Sequence, residues 1–554
     1  MKSLFILCLA LLSVSSLFAQ GSGTLSGGIE TQHNFFIRDS IIGAANTPQY
    51  DRQKYGSNTW VTLNYQNWGF DIGMRFDAFY NSNLIDPLDS YTALGIGRWH
   101  IRKEVFGLDV TAGYIYDQIG SGTIFRSYEA RQLAIDNALV GARLIYKIGD
   151  FLSIKAFAGQ QKKVEKQKSL FENYQPVILG GSIDGSFIIG AEKDDEGNIT
   201  STKNAVILNP GIGAVRRTLD DETMNNIVTD ISSYAPEDVF TPKYTTYAFT
   251  AYNTLSWKGF TWFAEGAYKT HEAINTFNPK GVLEDYSGYN VYTSLAYARK
   301  GLGVTAQYKR TDHFVLRTSP LQSLTRGQIA FLPPMARQNT YRLTARYNAA
   351  TQEVGEQALQ LDILYSPIPR KLTFALNIAN ITQLDQSFVD FKSPLYRELY
   401  FEGTYKFKRK WKAIAGFQVQ QYNQEIYEQK PGVPIITTYI PFAEFSYRFD
   451  RKKSLRIEAQ YMHTAQDFGS WLYGLAEFSI APNWSFTAST MVNVVPKKYE
   501  NIEAFYDFLI SYTHKSNRFD LSYVKQVEGI VCTGGVCRYE PAFNGVKFNV
   551  NSRF

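Results

Sequence analysis

Regular alternation of apolar and polar residues is the feature that most constrains the fold of this chain. From Leu359 to Tyr365 and again from Leu372 to Ile378, every second residue is apolar, with a turn at Pro367 to Arg370 between the two runs. A period of two places successive side chains on opposite faces of a β-strand. The pattern recurs in 399–407, 411–419 and 455–461. The sequence therefore predicts an all-β protein built from antiparallel hairpins with one apolar face.

The first residues are typical of an export signal. Met1-Lys2 precede an apolar run from Leu4 to Leu12, and a small-residue exit ends at Ala19. This order predicts a signal peptide at residues 1–19, cleaved before Gln20. We therefore expect residues 20–554 to be exported.

The rest of the sequence favours a barrel in a membrane. After the signal, no apolar run reaches the roughly 18 residues that a membrane helix needs. Inside lipid every backbone N–H and C=O must be paired, so such a chain spans a bilayer only as a closed barrel. Aromatic residues make up 15% of the chain, as expected for girdles at the two interfaces. We expect a closed transmembrane antiparallel β-barrel over 20–554, in contact with outer-membrane lipid and lipopolysaccharide.

The last strand carries a pattern typical of barrel assembly. Its apolar positions are Val546, Phe548, Val550 and Phe554, and polar residues lie between them. This ending resembles the terminal strand by which the barrel-assembly machinery recognises outer-membrane barrels. Since many soluble sheets also end on a strand, the pattern has weight only together with the signal and the alternation.

Ten short turns set the expected number of strands. Such barrels have short periplasmic turns and longer external loops. The turns lie near 68–69, 106–107, 149–150, 258–259, 300–301, 367–370, 408–410, 450–453, 482–483 and 515–517. Together with a first strand near 24–37 and the last strand, they predict about 22 strands, an even number. A further candidate, 340–347, would make the number odd and is assigned to a loop.

Three long segments are expected to be external or to fold inward, at 120–138, 162–242 and 311–357. The second contains β-like runs at 177–189 and 205–208. Its acidic turn at 194–198 lacks the alternating carboxylates of a calcium loop, which favours a solvated hairpin turn. Loops of this length are usually functional.

Charged residues on strands with an apolar face must point into the lumen, because Arg or Lys facing lipid at the midplane costs about 2–4 kcal/mol. Four of these residues suggest a basic wall that steers anionic solutes: Arg98, Arg102, Arg143 and Lys147. The alternative is a lattice of salt bridges that only keeps the barrel round.

The two late cysteines predict a disulfide on a hairpin. In Cys532-Thr533-Gly534-Gly535-Val536-Cys537 the Gly-Gly pair suits a tight turn, which places Cys532 opposite Cys537. A metal site is the weaker alternative, because no histidine lies nearby.

Signals for catalysis or cofactors are weak. The six histidines are scattered, and neither a Gly-x-Ser-x-Gly motif nor a phosphate loop occurs. A hydrolase built from residues on separate strands stays open as an alternative, but we expect no enzyme activity and no cofactor. The net charge of +6 is too small at this length to indicate nucleic-acid binding.

Two segments stand apart from the strand pattern, at 120–137 and 333–341, with Gly355-Glu356 beyond. At these residues the chain resembles an uncharacterised family of outer-membrane barrels from Bacteroidota, a domain of unknown function. The resemblance implies a barrel in the outer membrane and brings no catalytic residues with it.

Two functions follow as hypotheses. The first is a porin-like or plugged channel for small solutes with a polar, partly basic lumen, any obstruction coming from the three long segments. The second is a non-catalytic scaffold or accessory subunit of an envelope secretion or assembly complex, with protein partners at the external loops.

Overall fold

The computed structural model describes residues 23–162, 177–193, 199–322, 326–384, 394–533 and 536–554. The predicted signal peptide at 1–19 and the acidic turn at 194–198 lie outside these residues. Within them, the structure contains no helix long and apolar enough to cross a membrane.

The strands form one closed antiparallel barrel of 24 strands, which confirms the predicted fold class. Strand β24 pairs with β1 and thereby closes the ring. The strands are β1 (Thr24–Phe36), β2 (Tyr55–Asn67), β3 (Phe70–Ser82), β4 (Tyr91–Val105), β5 (Leu108–Ile115), β6 (Leu139–Ile148), β7 (Leu152–Gln161), β8 (Val177–Gly185), β9 (Val206–Thr218), β10 (Thr245–Trp257), β11 (Phe260–Asn275), β12 (Leu283–Arg299), β13 (Leu302–Asp312), β14 (Gly355–Ile368), β15 (Leu372–Gln383), β16 (Pro394–Phe407), β17 (Trp411–Tyr422), β18 (Ile436–Arg448), β19 (Lys453–Met462), β20 (Gly469–Ile480), β21 (Trp484–Pro496), β22 (Ala504–His514), β23 (Asn517–Gln526) and β24 (Phe543–Arg553).

Short elements lie in the connections. The helical ones are α1 (Asp221–Ile231), α2 (Gln424–Tyr427), a π-helical turn (Gln49–Gln53) and two 3-10 turns (Arg131–Leu133 and Pro236–Asp238). Small strands outside the ring pair Glu129–Ala130 with Ile135–Asp136, Glu192–Lys193 with Ile199–Ser201, and Gly529–Thr533 with Val536–Glu540, and Phe187–Ile189 prolongs β8.

All ten predicted short turns join consecutive strands at one end of the barrel, here called the short-turn end. The opposite end, here called the long-loop end, carries most of the longer connections. Strand β1 begins and β24 ends at the short-turn end, since Gly28 pairs with Arg553. Both ends of the chain lie at one end of the barrel only when the number of strands is even. A strand at residues 340–347 would make the number odd. The structure has turns at these residues, and no strand.

The predicted number of about 22 strands is close to the 24 found, and the two additional strands lie within 162–242, which the sequence assigned to one loop. Residues 177–185 and 206–218 are the barrel strands β8 and β9, joined at the short-turn end through 186–205. Glycines interrupt the alternation of apolar and polar residues in both strands, which makes the strands harder to recognise in the sequence. Gly213, for example, lies so close to a lumen side chain that an added Cβ would come within 2.4 Å of Ile119 Cγ2. The true loop on the far side of β9 is 219–244, which contains α1.

The outer surface of the barrel is apolar. Outward positions of neighbouring strands carry large exposed side chains, for example Phe508 and Ile510 on β22 beside Leu521 and Tyr523 on β23. Inward positions of the same strands carry Asp507 and Ser522. An apolar exterior over a polar interior is the pattern of a barrel that faces lipid.

Candidate functional site

The lumen is occupied by two connections from the long-loop end. The first inward loop, residues 116–138, joins β5 to β6, and the crossing segment, residues 313–354, joins β13 to β14. They overlap the segments 120–138 and 311–357 that the sequence set apart from the strands. Their contacts with the barrel wall define the candidate site.

Arg75 on β3 anchors the first inward loop. Its guanidinium is buried and donates to both oxygens of Asp77, with Nε–Oδ1 at 2.6 Å. The same group contacts Glu129 and lies 3.4 Å from Asp136, both in the loop. A planar guanidinium satisfies several carboxylates at once, which suits it to a buried anchor.

Lys162, the residue that follows β7, is a second anchor of Asp136. Its Nζ lies 2.6 Å from Asp136 Oδ2 and donates to the Gly97 carbonyl at 2.7 Å. The Tyr116 hydroxyl donates to the other oxygen of Asp136 at 2.8 Å. Burial alone would raise the pKa of Asp136, but Lys162 and Arg75 outweigh it and hold the pKa below its usual value of 3.8.

The crossing segment is fixed where it leaves the wall. Lys309 on β13 and Glu356 on β14 form an ion pair at 2.7 Å, and both side chains are fully buried. Lys309 also donates to Thr351 at 2.9 Å, and Glu356 accepts from the backbone of Gln352 at 2.8 Å. Within the segment, Arg317 and Glu353 pair at 2.6 Å and hold its two ends together.

On one side of the lumen, the crossing segment binds the first inward loop and β7. The backbone of Phe331 donates to the Gly122 carbonyl at 3.0 Å, and that of Arg126 donates to Ile329 at 2.9 Å. Gln161 on β7 donates to the Gln328 carbonyl at 2.6 Å. The two connections therefore pack as one unit, with Ile124 and Phe125 in their shared apolar core.

On the other side, the segment binds the far wall. Its backbone amide at Leu343 donates to Gln460 on β19 at 2.8 Å, and its carbonyl at Thr344 accepts from Gln418 on β17 at 3.3 Å. Strands β7 and β19 lie twelve positions apart in a ring of 24, which places them on opposite sides. The segment therefore crosses the lumen from wall to wall near the long-loop end.

Aromatic packing adds to the far anchorage. The guanidinium of Arg346 lies 4.8 Å from the ring centre of Trp471 and 5.0 Å from that of Phe468. Each such cation–π contact contributes about 0.5–2 kcal/mol, depending on burial. Tyr347 in the same turn donates to Asp467 at 2.7 Å.

The four residues of the predicted basic wall are mostly neutralised. Arg102 pairs with Asp109 at 2.6 Å, Arg143 with Asp117 at 3.0 Å, and Arg98 lies 3.7 Å from Glu129. Lys147 is exposed, with no carboxylate in ion-pair range among the described residues. Three of the four positions thus match the salt-bridge lattice that the sequence left open, and a basic wall stays a prediction.

The predicted assembly strand lies in the ring as β24. Val546, Phe548 and Val550 pair with Tyr523, Leu521 and Phe519, which are exposed on the outer surface. The Phe554 backbone donates to Gly27 at 3.0 Å and accepts from it at 2.9 Å.

The predicted disulfide falls on a hairpin outside the ring, where Cys532 pairs with Cys537 in backbone register. Gly534, Gly535 and the side chains of 530–538 lie outside the described residues. Among the described residues, no three His, Cys, Asp or Glu side chains are grouped so that they could hold a metal ion.

Sequence reasoning missed the pair of Lys309 and Glu356. Both lie on inward positions two or fewer residues from the predicted limits of the 311–357 segment. Opposite charges at the two ends of a long loop were the signal that could have identified them.

A model of a family of unknown function, DUF6029, matches residues 1–554. The chain belongs to this family. The resemblance to a domain of unknown function is thereby confirmed, whereas a Bacteroidota origin stays a prediction.

Solved structures similar to this DUF6029 chain are distant. The siderophore receptor PirA from Pseudomonas aeruginosa gives a TM-score of 0.40 at 6% identity, over 97% of this chain and 81% of the receptor. The P pilus usher PapC translocation pore gives 0.36 at 9% identity, over 96% and 99%. The copper transporter OprC gives 0.40 at 8% identity, over 96% and 81%. The comparison with curated proteins found no match.

Proposed function

We propose that this chain is an outer-membrane channel for small solutes whose lumen is closed by the crossing segment and opens when that segment moves. The observation that carries the proposal is the set of hydrogen bonds from the crossing segment to β7 on one side and β19 on the other. An apolar exterior supports a place in lipid, and a polar interior supports passage of polar solutes. No catalytic step is part of the proposal.

The contacts of the segment suit a removable closure. It is bound to the wall by hydrogen bonds, by a few ion pairs and by apolar packing, and Gln418 and Gln460 on the far wall are neutral amides. Neutral hydrogen bonds contribute only about 0.5–1.5 kcal/mol each. Displacing the segment breaks these contacts but leaves the backbone pairing between β13 and β14 in the ring intact.

A replacement tests this proposal directly. Because Arg317 and Glu353 are in contact, a short Gly-Ser linker can replace residues 319–351 without straining β13 or β14. We expect the purified variant to conduct ions in planar bilayers and the unaltered chain to conduct little. The matched control replaces 222–240, an outer loop around α1, with the same linker and should leave the conductance unchanged.

The second candidate is a closed scaffold for envelope partners. It is favoured by the ordered loop 219–244, in which Met224 and Ile227 of α1 pack on the barrel rim while Val228 and Val239 are exposed. If the linker variant folds but does not conduct, the channel proposal fails and the scaffold replaces it. A pull-down from detergent-solubilised membranes, with and without 222–240, would then identify the partner.

A further inference from the structure

We infer that a cleft at the long-loop end, above the two ends of the crossing segment, binds a neutral polyhydroxylated ligand, an oligosaccharide by chemical class. Two adjoining compartments of about 110 and 250 Å³ form the cleft. They share Phe277, Gln352, Val354, Ile426 and Gln429 as walls. Together they reach the lower end of the ~300–1,000 Å³ range of small-molecule sites.

Half of the polar side chains that line the cleft are primary amides. These side chains are Asn275, Gln322, Gln328, Gln352, Gln383 and Gln429. A primary amide donates two hydrogen bonds and accepts two. It therefore matches hydroxyl groups, each of which both donates and accepts, and it offers no charge that would select an ionic ligand.

The guanidinium of Arg317, which lines the cleft, is compensated within the protein. Arg317 and Glu353 pair with each other at 2.6 Å. Glu425 accepts from the backbone of Gly432 at 2.9 Å. An anionic ligand would have to displace Glu353 from Arg317 and would meet the carboxylate of Glu425, whereas a neutral ligand leaves the ion pair intact.

One aromatic ring is available for stacking. Phe277 is 40% exposed, and its backbone has a φ of 56°, which is unusual for a bulky residue. The Asn275 side chain holds this conformation by accepting from the Phe277 amide at 2.8 Å. Of the two other rings that line the cleft, Phe331 is covered by the guanidinium of Arg126 at 4.0 Å, and Tyr427 is buried. Phe277 is thus positioned to pack against the apolar face of a sugar ring.

The cleft lies on the attachment of the crossing segment. Gln352 contributes its side chain to the cleft and its backbone N–H to Glu356, the partner of Lys309. A ligand that contacts Gln352 therefore touches the point where the segment meets the wall. This link to opening rests on the proposed channel function, whereas ligand binding itself does not.

The test is binding of the full-length, fluorescently labelled barrel in detergent to an array that carries neutral glycans, acidic glycans and peptides. We expect neutral glycans to be bound. Phe277→Ala and Gln352→Ala should each weaken binding of the best glycan at least tenfold. Phe277→Tyr, which keeps the ring, and Tyr244→Ala, which truncates an exposed aromatic outside the cleft, should bind like the unaltered chain.

Three results would overturn the inference: no binding of neutral glycans, preferential binding of acidic glycans or peptides, or binding that the two cleft substitutions leave unchanged. Folding of each variant is checked on denaturing gels, where a folded barrel migrates differently without heating than after heating. Because the array measures binding without a bilayer, glycan binding without conductance would reject the channel and keep the cleft.

Discussion

Lys309 and Glu356 form a fully buried ion pair where the two strands that carry the crossing segment lie side by side, with Nζ and Oε1 2.7 Å apart. The pair joins β13 to β14 and, through Gln352 and Thr351, both strands to the segment. Two charges taken out of water need each other, because burial of either one alone is costly.

The first prediction concerns this pair. Lys309→Met leaves Glu356 buried without its cation and should destabilise the closed lumen by about 3–5 kcal/mol, whereas Lys309→Met combined with Glu356→Leu should recover most of the loss. The measurement is the temperature at which the folded band disappears on gels, together with bilayer conductance. Equal effects of the single and double variants would contradict a coupled pair.

The second prediction concerns pH. Because the pKa of Asp136 is held below its usual value by Lys162 and Arg75, its charged form stabilises the first inward loop above the unfolded pKa near 3.8. That stability is lost as the pH falls through the lower folded pKa. Acidification below about pH 4 should therefore expose residues 116–138 to an acid-active protease such as pepsin. Asp136→Asn should make the loop accessible already at pH 6, with a protease active there, and a protected loop in that variant would reject the anchor.

The third prediction concerns the lumen wall. In the variant that lacks 319–351, changing Arg98, Arg102, Arg143 and Lys147 to Gln leaves Asp109, Asp117 and Glu129 with fewer positive neighbours. Selectivity should then move toward cations, more at low salt because screening is weaker there. Reversal potentials across a salt gradient measure this, and Lys147→Gln alone should give a smaller shift. No change in the fourfold variant would remove the wall from the conduction path.

The fourth prediction separates two roles of Phe554. Its side chain is 57% exposed, while its backbone pairs with Gly27. If the side chain is an assembly signal, Phe554→Ala should lower the yield of folded barrel in the outer membrane even though both backbone bonds remain. Leu88→Ala, in an exposed outer loop, is the control. An undiminished yield would leave only the structural role.

The fifth prediction concerns the hairpin cysteines. Backbone register pairs Cys532 with Cys537, and we expect a disulfide between them in exported protein. Closing so short a loop should contribute roughly 2 kcal/mol at most. Mass spectrometry of non-reduced peptides checks the bond, and two free thiols in protein from an oxidising compartment would disprove it.

The sequence predicted the barrel well where apolar alternation was clean. Strands β14 and β15 follow from Leu359 to Ile378, and all ten turns follow from their Gly, Pro, Asn and Lys residues. It failed at β8 and β9, because glycines such as Gly180 and Gly213 make room for lumen side chains instead of marking an apolar face.

The closure of the lumen could be predicted only as a set of candidate loops. That Leu343 finds Gln460 depends on which strands face each other across the ring. Local periodicity cannot show this contact, because which strands face each other is fixed only when all 24 strands have closed into the ring. By contrast, the pair of Arg102 and Asp109 followed from opposite charges on the neighbouring strands β4 and β5. Arg98 and Arg143 instead find Glu129 and Asp117 in the first inward loop.

The crossing segment leaves β13 and returns to β14, and these two strands are direct neighbours in the ring. In topological terms it is a loop that enters the lumen from one end and has both of its own ends at that same end of the barrel. It can be withdrawn toward the long-loop end without any chain end passing through the barrel and without a knot being tied or untied. Repeated cycles of insertion and withdrawal are thus compatible with an intact wall.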